Sequence, residues 1–132
     1  MQRSMLARIL LLGLFVWACA ILWLSSLSPD EMPGAAFVFW DKINHVVAFA
    51  VGGWLAASAL GMARPAASTP GRLVVAVVII AAFGAMDEGV QSFTPGRTGA
   101  DVTDWIADVI GAAAGATLSL ATFGRLERLV GS

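Results

Sequence analysis

Residues 5–27 read MLARILLLGLFVWACAILWLSSL, a run of membrane-spanning length in which Arg8 is the only charged side chain. About 20 mainly apolar residues carry a helix across the hydrocarbon core of a bilayer. Arg3 and Arg8 followed by an apolar run, with Ala18-Cys19-Ala20 beyond, have some features of a signal peptide. The run continues through Ile21-Leu22-Trp23-Leu24, past the length of a signal core, and Trp17 stands where lipoprotein cleavage before Cys19 would need a small residue. The stretch therefore reads as a transmembrane helix.

Three more stretches pass the same test, at about residues 43–62, 73–90 and 102–123. The breaks between them carry turn signals: Ser28-Pro29-Asp30 with Pro33-Gly34, Arg64-Pro65 with Pro70-Gly71, and Pro95-Gly96. The predicted fold is all-α, a single four-helix transmembrane domain over residues 1–132. The composition agrees. The chain has 132 residues, 58% hydrophobic and 13% charged, with mean hydropathy +0.82, whereas soluble domains are about 45–50% apolar and about 25% charged. A net charge of −1 gives no electrostatic case for binding nucleic acid. One cysteine and one histidine exclude an intrachain disulfide, a cysteine-held zinc and any multi-histidine metal site.

The basic residues set the orientation. Arg3, Arg8, Arg64, Arg72, Arg125 and Arg128 share one side of a four-span protein, and Lys42 and Arg97 lie on the other. The positive-inside rule then makes both termini and the middle loop cytoplasmic. Every acid except Glu127 belongs to the outer side, so a function that uses carboxylates is expected there.

The acids are patterned. Asp41, His45 and Gly52 share one face of the second helix, with Lys42 beside them, and a carboxylate one turn from an imidazole fixes its tautomer. Glu88 and Gln91, three apart at the end of the third helix, have the spacing of a ligand or proton-transfer pair, whereas Asp87 points elsewhere. Asp101, Asp104 and Asp108 top a stripe on the fourth helix that continues as Gly111 and Gly115. The helix dipole favours the first two acids. Asp108 is a turn deeper, and the glycines predict close packing that turns it into the bundle. Arg97, in Thr94-Pro95-Gly96-Arg97-Thr98-Gly99, is either a salt-bridge partner of Asp104 or Glu88, or a planar fork offered to a phosphate or carboxylate.

These residues carry a resemblance. Ser25-Ser26-x-x-Pro29, Asp41-Lys42-x-x-His45-x-x-x-Phe49, Asp87-Glu88-x-x-Gln91-x-Phe93-x-Pro95-Gly96-Arg97 and Asp104-x-x-x-Asp108-x-x-Gly111 follow one another in order. In this the sequence resembles the VanZ-like family of small bacterial membrane proteins. The family is named for lowered susceptibility to the glycopeptide teicoplanin, and the resemblance implies the bacterial cell envelope and the outer face of the cytoplasmic membrane. Resistance itself is not carried over.

Three functions follow as expectations. The first is a site that binds or processes a lipid-linked or phosphorylated envelope molecule, enzymatic or not. His45, Asp41, Glu88 and Asp108 would be its acid–base or ligand cluster, and Arg97, Gln91, Asp104 and Lys42 its substrate-binding groups. A metal, if used, would be magnesium, calcium or manganese held by His45, Glu88, Asp104 and Asp108, since oxygen ligands with one imidazole suit hard divalent cations. The second is a structural or partner-binding plug of polar groups. The third is a proton- or ion-coupled transporter, which four helices could form only as a homo-oligomer. The bilayer is the common partner of all three, and nucleic acid of none.

Overall fold

The computed structural model describes residues 2–32 and 41–131, with Asp41 described by its backbone alone. The described residues form four helices: α1 (Arg3–Ser25), α2 (Asp41–Ala63), α3 (Thr69–Gln91) and α4 (Val102–Val130). All four are long and apolar enough to cross a membrane, and no strand occurs among the described residues. A short 3-10 turn, Pro29–Glu31, follows α1. The Glu31 carboxylate accepts from both the amide and the hydroxyl of Ser28 at 2.9 Å and caps the start of this turn, and α1 ends just before Ser28-Pro29-Asp30, near the predicted break.

The breaks differ from expectation at Pro70-Gly71, which does not precede α3 but forms its first turn. Ser68 is the N-cap and its hydroxyl accepts from the Gly71 amide, while Pro70 occupies a first-turn position where no N–H is needed. The fourth helix also outruns its predicted end at 123 and continues to Val130. The extra turns have something to bury. Leu126 and Val130 pack on a cluster of Leu6, Ala7 and Leu10 from α1 with Ala59 and Met62 from α2. Arg3 and Glu127 pair at 2.6 Å across the same end, which places the two termini together.

The packing is closest between α2 and α4. A Cβ on Gly111 would overlap the Val46 carbonyl, one on Gly115 the Ala50 carbonyl, and one on Gly53 the Ala112 carbonyl. Glycines on both helices thus let backbone meet backbone, as close helix packing in lipid requires. The predicted glycine stripe does pack a neighbouring helix. Gly52 plays a different part: a Cβ there would strike the indole of Trp17, so it admits a side chain of α1. Trp17 donates to the Ala48 carbonyl at 2.8 Å, Trp54 to Thr122 at 2.8 Å and Trp105 to the Ala81 carbonyl at 2.9 Å, each tying two helices. Leu12, Phe15, Val47, Val78, Ile110 and Leu118 point outward, as lipid-facing residues should.

Candidate functional site

The end of the bundle away from the termini gathers the polar residues around His45. Its Nδ1 lies 2.7 Å from Oδ1 of Asp108 and its Nε2 4.0 Å from Oδ2 of Asp104. An ionised carboxylate only accepts, so with Asp108 charged Nδ1 carries the hydrogen and Nε2, in the neutral ring, the lone pair. Asp108 is fully buried, as the stripe predicts. It fits because Gly84 of α3 has no side chain: a Cβ there would sit 2.8 Å from the second Asp108 oxygen. The imidazole lies over Phe49, ring centroids 6.3 Å apart, and Phe49 meets Trp17 and Phe83. This aromatic layer forms an apolar floor below the polar groups.

The Asp104 carboxylate lies beside His45 and is held by the Lys42 ammonium, which also reaches Asp101 at 3.7 Å. Asp101 caps α4, accepting from the amide and hydroxyl of Thr103. The Thr103 side-chain and backbone hydrogen bonds hold its carboxyl below the ordinary value of 3.8. Glu88 accepts the Asp101 amide through Oε2 at 2.9 Å, and its own carbonyl accepts the Ala100 amide. The loop that makes this closure places Ala100 in left-handed backbone (φ 60°), a conformation that disfavours a side chain. Gly99 next to it has no room for a Cβ against the Ser92 backbone. Asp41 carries no described side chain, so its predicted contact with His45 lies outside the described residues.

On the other side of His45 lies a cavity of about 80 Å³, lined among others by Ser25, Met32, Asn44, Asp87, Gln91 and Arg97. It has room for a few waters or one small polar group. Here the pairing departs from expectation. Gln91 donates not to Glu88, three residues back, but to Asp87, four back, at 3.0 Å, and approaches Ser25 at 3.5 Å. Both spacings are within reach on a helix, and Ser25 of α1 meets Gln91 on the Asp87 side. Thr94 donates to the Ser25 carbonyl at 2.8 Å and pins the loop over α1.

Arg97 also departs from one of its two expectations. It makes no ion pair with Asp104 or Glu88. Lys42 takes Asp104, and the Arg97 guanidinium lies at the cavity with Met32 sulfur 3.7 Å away. The predicted set therefore divides around His45, with Gln91 and Arg97 on the cavity side and Lys42, Glu88, Asp104 and Asp108 on the α4 side. Asp87, Ser25, Asn44 and Met32 complete the cavity without having been singled out as site residues. The first two stand within the quoted motifs and Asp87 is one turn from Gln91; Asn44 and Met32 carry no such signal.

Among the described residues, three buried carboxylate oxygens in this region have no hydrogen-bond partner: Oδ1 of Asp87, Oε1 of Glu88 and Oδ2 of Asp108. Compared with models of known protein families, the chain matches the one described as VanZ/LLP1 over residues 9–123. No curated protein and no solved structure matches it.

Proposed function

The chain belongs to the VanZ/LLP1 family, and from that premise we propose that it binds the anionic headgroup of a lipid-linked or phosphorylated envelope molecule at an outward-facing cavity. The observation that carries this reading is Arg97. It lines the same cavity as His45, Asp87 and Gln91 and makes no ion pair among the described residues. A guanidinium fork suits phosphate or carboxylate. Asp87 and Gln91 suit the hydroxyl or amine that sugar and amino headgroups carry next to phosphate. Asp108 orients His45 so that a proton can be moved at Nε2. A purely structural plug is supported less, because a polar network that only holds helices together gains by satisfying all its members, and this one leaves three oxygens unmatched.

The orientation comes from the arginines, and labelling tests it. In a Cys19→Ala background, Thr98→Cys should react with an impermeant maleimide on intact cells. Ala67→Cys, in the exposed loop between α2 and α3, should react only after permeabilisation. The reverse pattern would move the site to the cytoplasmic face and end the envelope reading.

Arg97 itself gives the second test. Arg97→Ala breaks no ion pair among the described residues but removes a positive charge that acts on the buried Asp87, so the melting temperature should fall only slightly. Arg97→Lys keeps the charge but loses the fork, and both variants should weaken binding of a phosphate-headgroup lipid about 10–100-fold, one or two charge-assisted hydrogen bonds' worth. Native mass spectrometry of lipid retained by the purified protein reads this directly. A lysine variant that retains lipid like the parent would remove Arg97 from the site.

A further inference from the structure

The geometry points to a divalent-cation site on the α4 side of His45, formed by His45, Glu88 and Asp104. One ligand atom from each lies within 4.8 Å of the other two. Ligands that share an ion at about 2.0–2.4 Å stand at most about 4–5 Å apart, so the three side chains already have nearly the span of a coordination shell. This inference does not rest on the headgroup reading, since an ion can occupy the site with the cavity empty.

Two further observations bear on it. Glu88 is buried, its Oε2 is occupied by the Asp101 amide, and its Oε1 has no hydrogen-bond partner among the described residues. A buried carboxylate oxygen so placed calls for positive charge beside it. Asp108, at Nδ1, directs the other ring nitrogen toward Asp104. A carboxylate behind a histidine whose second nitrogen meets the metal is the usual support for a histidine ligand. Asp108 therefore stands behind the site as a positioning residue, where the sequence pattern counts it among the ligands. The Lys42 ammonium on Asp104 is the resident cation with which an incoming ion competes. One imidazole with two carboxylates fits a cation that accepts mixed nitrogen and oxygen ligands, with Mn2+ as the probe.

The experiment is a Mn2+ titration of the protein in nanodiscs of zwitterionic lipid, followed by electron paramagnetic resonance, with no headgroup ligand added. One equivalent should bind, and pulsed spectra should show coupling to a single imidazole nitrogen. Glu88→Gln and Asp104→Asn should each weaken binding at least 10-fold. Lys42→Met should tighten it several-fold by removing the competitor. Asp30→Asn, at an exposed acid outside the cluster, should change nothing. Should the Glu88 and Asp104 variants fail to fold, the nitrogen coupling in the parent decides alone. Absence of that coupling, no stoichiometric binding below about 1 mM, or equal affinity in the folded variants overturns the site. Unchanged lipid retention in Arg97→Lys with Mn2+ binding intact would end the headgroup reading and leave the ion site standing, so the two proposals fail separately.

Discussion

Gly115→Ala is expected to destabilise the bundle strongly, although alanine is the better helix former by about 1 kcal/mol. The added methyl would lie inside the Ala50 carbonyl, and its neighbours there are backbone atoms that no rotamer change can move. Either α2 and α4 separate along their length or the ladder of α2 bends. Overpacking against mobile side chains costs about 1–3 kcal/mol, and a backbone obstacle puts this variant at or above the top of that range. Separation would also loosen the neighbouring Gly111 contact with Val46, one residue from His45. The loss should therefore reach the polar site. Gly124→Ala is the control, because among the described residues no packing neighbour lies within 4 Å of a Cβ built there. It should be neutral or slightly stabilising. Thermal unfolding of both variants in detergent checks the contrast, and equal melting temperatures would show that α2 and α4 do not meet through their glycines.

That contrast also shows how the fold could be read from the chain. Hydropathy alone finds four spans because a helix in lipid has to satisfy its backbone internally and expose apolar side chains. The stripe of Gly111 and Gly115 further marks which face meets a neighbour. Neither signal gives helix ends. Pro70-Gly71 looks like a break, yet proline is at home in a first turn, and only the Ser68 cap tells the two apart. The last turns of α4 hold Arg125, Glu127 and Arg128, and a hydropathy window stops before them. They stay helical because Leu126 and Val130 pack on the cluster that α1 and α2 form together, a tertiary contact with no local trace.

The site was legible as a set of residues and not as a set of pairs. His45, Asp108, Asp104, Glu88, Gln91 and Arg97 do lie at one end of the bundle, as their positions at helix ends require. The partners depend on how α2, α3 and α4 rotate against one another. Lys42 reaching Asp104 across 62 positions leaves Arg97 to the cavity. Gln91 chooses between Asp87 and Glu88, both within reach along the helix, and α1 decides by presenting Ser25 on the Asp87 side. Spacing on one helix cannot carry that information.

The last expected result separates stability from function at His45 and Asp108. Asp108→Leu alone removes the acceptor of a half-buried imidazole N–H, and His45→Leu alone leaves a fully buried carboxylate without its partner. Breaking a buried pair from one side typically costs about 3–5 kcal/mol. Replacing both members with apolar residues removes the unmatched groups together, which is often neutral where volume is kept. Leucine is larger than aspartate and the space beside Gly84 is tight, so overpacking offsets part of that recovery. The double variant His45→Leu with Asp108→Leu should thus melt closer to the parent than either single variant, a coupling of at least about 2 kcal/mol in a double-mutant cycle. If the pair serves the proposed site, lipid retention should fall in all three variants, including the one whose stability recovers. A double variant that regains both its melting temperature and its lipid would make the pair a structural tie between α2 and α4. A cycle that is simply additive would mean that the 2.7 Å contact contributes nothing to holding those helices together.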